Sequence, residues 1–186
     1  MDSSTLTVGS DVQTPAVMAM PLILLLRELN EVIDQLSDEQ YSQKPVGVVE
    51  SSIGGHVRHC LDHVRSLLDA VESGRLNYDH RQRGTAVESS RAAAGESIAS
   101  LVGQLSSLSA ATQQRTICLS VMMCCDGVPF EVLTSLGREM AYVLAHTIHH
   151  NALIAAMVKT LGGWLPDRFG YAPSTVQHLK DRACVR

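Results

Sequence analysis

Histidine carries most of the chemistry this sequence can offer. Eight are present, and six of them fall in two short windows. The first is Gly54-Gly55-His56-Val57-Arg58-His59-Cys60-Leu61-Asp62-His63, and the second is Ala145-His146-Thr147-Ile148-His149-His150. Imidazole is the commonest protein ligand for transition ions and binds them neutral, through either ring nitrogen. At ~100° per residue, His56, His59 and His63 fall within roughly 60° on one side of a helix, bordering its apolar stripe. His146 and His150, four residues apart, stand one turn above each other, so both rings can reach one ion. A third imidazole from a facing helix completes a three-His site with positions left open for water or substrate. Positions 59 and 146 are too far apart for a zinc finger and suit ligands delivered by two helices of one bundle. Imidazole nitrogen suits Zn²⁺ and Ni²⁺ alike, so the ligand type does not choose between them.

The competing reading is a polar or surface histidine cluster without metal, since a lone His on an apolar face is more often a hydrogen-bonded core residue. Six in two helical windows weigh the other way. Burying them without an ion requires a partner for each ring nitrogen, at about 1–3 kcal/mol for each one left unpaired.

Other side chains are less specific. Glu139 lies beside the His146–His150 stripe and can orient an imidazole or act as a base; alternatively it pairs with Arg58 or Arg138. The stretch from Leu76 to Thr85 is too charged for a core. It is either a solvated loop or a cover over the metal mouth, with Arg81 or Arg83 clamping an anionic substrate. Asp62 points to the polar side of its helix, as a solvated carboxylate. Adjacent Cys124 and Cys125 are read as plain thiols rather than soft-metal ligands. The sequence has no G-x-S-x-G elbow, Gly-rich phosphate loop or H-E-x-x-H.

The elements that must position these residues are helices. Leu22, Leu25, Leu26, Leu29, Val32, Ile33 and Leu36 recur at three- and four-residue steps, predicting a helix from about Pro15 to Leu36. A second helix is capped by Ser51 or Ser52 and ends at Gly74. A third, weakly amphipathic, spans about Ser89 to Leu108. The last runs from a cap at Thr134 or Ser135 to Leu161 and is apolar on two faces, as befits a central helix or a subunit contact. Thr116 to Met123 reads as a short strand or an irregular crossover. The expected fold is all-α: a four-helix bundle, up-down, with 109–133 as a long crossover connection. Residues 1–13 are small and polar and read as a flexible tail, leaving 14–186 as one domain.

Composition agrees. Apolar residues make up 45% of the 186, aromatics only 4%, so packing rests on aliphatic side chains. A formal charge of −4 provides no basic footprint for nucleic acid. The apolar run Pro21–Leu26 is cut by Arg27 and Glu28, too short for a membrane span, and no secretory signal precedes it. Five cysteines, odd in number and lacking a C-x-x-C pair, fit reduced thiols in a cytoplasmic protein.

At Ser52-Ile53-Gly54-Gly55-His56-Val57-Arg58-His59 and His146-Thr147-Ile148-His149-His150 the sequence resembles the DinB-like (YfiT-like) metal-binding four-helix bundles. The family pattern is one His on the second helix and an H-x-x-x-H pair near the end of the bundle. The resemblance puts the first at His59 and the pair at His146 and His150. It spans about Pro15 to His178. A narrower branch is echoed in Asn77-Tyr78-Asp79-His80-Arg81-Gln82-Arg83, Thr134-Ser135-Leu136-Gly137-Arg138-Glu139 and Phe169-Gly170-Tyr171-Ala172-Pro173-Ser174-Thr175. Its extra histidines, His56 and His149 here, leave open a fourth ligand, a second metal or a supporting role, and His63 is a further ligand by geometry. The resemblance implies a divalent ion, often nickel or zinc, and frequent homodimers. Relatives of this kind include thiol S-transferases using low-molecular-weight thiols and a maleylpyruvate isomerase. The expected function is thus a metal-dependent transferase or hydrolase acting on a small molecule, with thiol involvement. The alternatives are a non-catalytic metal-stabilised or stress-response module and a metal-free helical dimer with a pH-sensitive histidine patch.

Overall fold

The computed structural model describes residues 16–47, 49–79, 84–125 and 127–184. Four long helices dominate: α1 (Ala16–Asp34), α3 (Ile53–Ser73), α4 (Arg91–Ser106) and α5 (Leu136–Thr160), with a five-residue α2 (Asp38–Ser42) and a C-terminal α6 (Pro173–Cys184). Their limits follow capping chemistry. The Ser52 hydroxyl accepts from the Gly55 amide at 3.0 Å to open α3, and Gly74, at φ +68°, closes it while donating to the Ala70 carbonyl. That left-handed conformation favours glycine. Ser90 and Ser135 open α4 and α5 in the same manner.

α3 packs along both α5 and α4, while α1 packs along α4 and α5. The interior between them is aliphatic. Leu22, Leu26, Leu29, Val32 and Ile33 of α1 meet Val57, Leu61, Val64 and Leu67 of α3 and Val143, Ile154 and Val158 of α5 in one buried cluster. Burial at roughly 25 cal/mol per Å² makes this apolar contact the main driving force of the fold. The outer face of α5 shows Ala145, Ala152 and Ala156 to solvent, with Leu144 and Ile148 half-buried. Among the described residues, no helix is long and apolar enough to cross a membrane.

Two features correct the sequence-based expectations. The fold is mostly helical rather than all-α, because it contains a three-stranded sheet of β1 (Arg75–Asn77), β2 (Thr116–Met122) and β3 (Pro129–Ser135), the last two falling largely in the 109–133 stretch expected to be a crossover. β2 lies in the middle, parallel to β1 (Leu76 opposite Leu119) and antiparallel to β3 (Ile117 opposite Thr134). The alternating Ile117, Leu119 and Val121 suit a strand, which settles the ambiguity at 116–123. Pairing of β1 with β2 buries Leu76, within the stretch expected to be too charged for a core, to 1% exposure. The second feature is α2, a further short helix just past the expected end of the first at Leu36. Ser37 and Gln40 form a reciprocal capping box at 3.1 and 2.9 Å, and the helix buries Tyr41, whose hydroxyl donates to the Val87 carbonyl at 2.7 Å.

Tyr41 and the 86–88 turn press directly on the start of α3. A Cβ on Gly54 would collide with the Glu88 carbonyl oxygen and come within 2.7 Å of Tyr41 Cε1. Gly54→Ala is therefore expected to destabilise the protein by about 1–3 kcal/mol in chemical denaturation, through overpacking. Gly103→Ala in α4, where a Cβ meets nothing within 4 Å, is expected to be neutral or to stabilise by up to about 1 kcal/mol. Equal responses from the two variants would refute the close approach at Gly54.

Candidate metal centre

Packing of α3 against α5 brings the two histidine rows face to face. One ligand nitrogen each from His59, His146 and His150 lie within 4.8 Å of one another. His59 Nε2 and His146 Nε2 are 2.8 Å apart, and the His150 ring centroid is 4.5 and 4.6 Å from those of His59 and His146. All three are half-buried. Two imidazole lone pairs cannot face each other at 2.8 Å without something positive between them, a shared proton or a cation. Nitrogens around one tetrahedral ion, with bonds of about 2.0 Å, stand about 3.3 Å apart. The His59 and His146 rings therefore need to part by only about half an ångström. Three imidazoles with no competing carboxylate form a donor set suited to Zn²⁺ or Ni²⁺.

The other three histidines stand around this focus and do not join it: among the described residues, no other group of three ligand side chains converges in this way. His56 is buried. Its Nδ1 lies 2.9 Å from His150 Nδ1, while its Nε2 is shielded from solvent and has no hydrogen-bond partner. His63 is also buried, and its Nδ1–H donates to the His59 carbonyl at 3.0 Å, one turn back. A carbonyl can only accept, so this bond places a proton on His63 Nδ1. His149 is exposed, with its ring 5.3 Å from that of His150.

Burial, followed by the neighbouring charges of His146, His56, His149 and His63, pushes the His150 imidazole down to about 3. Burial, then His149, also lowers His56. Both rings are thus held neutral, the form in which imidazole ligates a metal.

Tyr78 and Tyr142 complete a stack that the sequence reading did not assemble. His63 stacks on Tyr78 at 4.8 Å and on His146 at 4.4 Å, and Tyr142 packs beside them, 5.3 Å from Tyr78 and 5.5 Å from His146. The i, i+4 spacing of Tyr142 and His146 was a usable signal. Tyr78 had none, because its place depends on β1 being drawn into the core. Glu139 is 3% exposed. It accepts hydrogen bonds from Tyr78 at 3.1 Å and from the Thr134 hydroxyl at 2.8 Å. Burial and the Glu139 carboxylate raise the Tyr78 pKa, so the phenol stays protonated and remains a donor. The bond joins Glu139 to the histidine stack through Tyr78.

Arg58 is engaged elsewhere. It pairs with Asp62 at 2.7 Å and Glu88 at 2.5 Å, and Arg65 reaches Asp62 at 3.2 Å. Asp62 is 7% exposed, a buried ion-pair member where a solvated carboxylate was expected. The exposed Arg138 sits 6.0 Å over the Tyr142 ring. Arg81 and Arg83 lie outside the described residues. Cys60 is buried and its thiol is pushed up to about 12 by that burial, which removes it as a nucleophile; Cys124 and Cys125 are exposed.

Comparison with known proteins points the same way. The profile described as the DinB superfamily matches residues 22–154, well over half of the chain and inclusive of all six clustered histidines. A curated relative from Rhizopus delemar, named FK506-binding protein 5, is 38% identical over 106 residues, covering 56% of this chain and 28% of that protein. The chain therefore corresponds to little more than a quarter of that relative's length. Among solved structures, a DinB-like protein of Bacillus subtilis, YjoA, superposes with a TM-score of 0.61 at 18% identity, covering 84% of this chain and 99% of that one. That likeness is one of fold.

The depressed His150 and His56 fix a pH dependence. Near neutral pH both the folded and unfolded chains leave these rings neutral. Below the ordinary value of 6.5 the unfolded chain takes up protons that the folded rings reject, so stability is lost as pH falls. Metal-free protein is expected to melt at a lower temperature at about pH 5 than at about pH 7.5, and the drop should shrink in His150→Gln. A melting temperature that is flat or rises on acidification would contradict the neutral burial of these rings.

Proposed function

From the premise that this chain belongs to the DinB superfamily, we propose that it is a divalent-metal protein in which His59, His146 and His150 hold one ion. The observation that carries this reading is the convergence of three imidazole nitrogens, supplied by two different helices, within 4.8 Å. Zinc and nickel are the ions that the donor set favours. A bound ion supplies Lewis acidity that favours deprotonated water or thiol near neutral pH.

In this reading the protein is a metal-dependent transferase or hydrolase acting on a small molecule, with a low-molecular-weight thiol as co-substrate. Glu139, reached through Tyr78, serves as the base or as an orienting carboxylate, and Arg81 or Arg83 steers an anionic substrate. The four long helices form the up-down bundle of a cytoplasmic protein. It pairs as a homodimer through the groove where Leu24 and Leu25 of α1 meet Leu144 and Ile148 of α5. A second reading, an ion that serves only as a staple, draws support from the ligands joining α3 to α5 within the core.

Protein expressed without added nickel and purified without an affinity tag is expected to carry about one ion per chain by elemental analysis, as a single three-His site requires. His150→Ala should lose it; unchanged metal content in that variant would defeat the assignment. Chelation separates the two functional readings. Turnover on a thiol-conjugation panel that disappears with the ion, returns when it is added back, and is lost in Glu139→Gln at full metal content supports the enzyme. A large fall in melting temperature with no turnover at any stage supports the staple.

A further inference from the structure

His56 is placed in a way that neither a ligand nor a packing role explains. It stands in the first turns of α3, just after the cap, where its amide donates to the Ser52 carbonyl at 3.2 Å. Its ring is turned toward α5. Among the described residues, its one hydrogen-bonding partner is His150, through an Nδ1 to Nδ1 contact of 2.9 Å. The remaining nitrogen, Nε2, is sealed from solvent without a partner. An unmet polar group of this sort destabilises the fold, a cost that a leucine of similar volume would avoid. The ring's Nδ1 is therefore the part with a task.

Two nitrogens at 2.9 Å share one proton: one donates and the other accepts. The direction is set by the neighbours. His150 has two ring nitrogens, and its Nδ1 is taken up by His56, so Nε2 is the one left for the focus shared with His59 and His146. To offer a lone pair there, neutral His150 must carry its proton on Nδ1. His56 must then accept at Nδ1 and keep its own proton on Nε2, the atom found buried and unpartnered. We propose that His56 is a positioning residue: it accepts the Nδ1–H of His150, fixing the tautomer and orientation in which His150 presents Nε2 to the metal. This rests on the metal reading above for its purpose, but the tautomer itself exists without an ion. It also gives His56 a role outside the ligand set, in keeping with its exclusion from the three-nitrogen focus. The arrangement does for His150 what a carboxylate or carbonyl does for many ligand histidines, where loss of the supporting acceptor costs about 10–100-fold in metal affinity.

The test uses the full chain labelled with ¹⁵N-histidine. In metal-free protein, long-range ¹H–¹⁵N correlation is expected to show His150 protonated at Nδ1 and bare at Nε2. His56→Asn sets an amide oxygen near the place of Nδ1 and should keep that tautomer; His56→Leu removes the acceptor and should shift His150 towards the Nε2–H form. Zinc titrated against a competing chelator should bind His56→Leu about 10–100-fold more weakly than wild type, with His56→Asn close to wild type. Zinc affinity unchanged in His56→Leu, or Nε2–H on His150 in the wild-type metal-free protein, overturns the proposal. Wild-type protein that shows the expected tautomer yet binds no zinc supports the His56–His150 bond and overturns the metal reading instead, so the two failures are distinguishable. The wild-type spectrum decides the tautomer even if His56→Leu does not fold.

Discussion

The constraint on which the rest depends is that α3 and α5 must bury their facing sides while those sides carry imidazoles. An aliphatic seam needs only shape, but a ring nitrogen excluded from water needs a partner. The structure meets most of that demand in layers, with His56 Nε2 the exception. His63 uses the carbonyl one turn back in its own helix. His56 and His150 meet at 2.9 Å, and His59 and His146 meet through their Nε2 atoms at 2.8 Å. That last contact is spanned by an N–H···N hydrogen bond in metal-free protein, and it is where the proposed ion would enter. It lies among the histidine rings, beside the mutually packed rings of Tyr142, Tyr78 and His63.

The surroundings hold this group in place. Glu88 is tied to Arg58 and packed on Gly54, which clamps the 86–88 turn onto the start of α3. Tyr41 closes the same corner from α2. At the other end, the sheet does more than connect helices. β1 carries Tyr78 from its end into the ring stack, and β3 runs directly into α5, so that Thr134 in the strand and Glu139 in the helix meet across the junction. The strands thus deliver Tyr78 and Thr134, and the helices deliver Glu139 and the histidines. A purely helical connection between α4 and α5 would leave both Tyr78 and Glu139 without their present partners.

Much of this was legible in the sequence because it is local. The heptad-like spacing of aliphatics in α1 and α3, the serine caps at 52 and 135, the glycine stop at 74 and the i, i+4 pair at 146 and 150 all report structure within a few residues. Helical phase put His56, His59 and His63 on one side of their helix, and it was the family resemblance that singled out His59 as the partner of that pair. What escaped depends on contacts between distant segments. The three residues of β1 form a strand only because β2 is there to pair with them, so no pattern within 75–77 announces it. The burial of Asp62 depends on Arg58 and Arg65 lying on either side, and the partners of Glu139 come from strand ends. The role of His56 turned on a distance to a residue in another helix, and sequence phase alone could not separate it from the ligands.

Fold membership and a plausible donor set leave one question on which the account stands or falls: where an ion sits. Anomalous diffraction from crystals of native protein, collected on both sides of the zinc and nickel absorption edges, answers it directly. The account predicts one strong peak among the rings of His59, His146 and His150, with nitrogen contacts of about 2.0–2.1 Å. A peak centred elsewhere, or no peak with a proton or water joining His59 to His146, would contradict it.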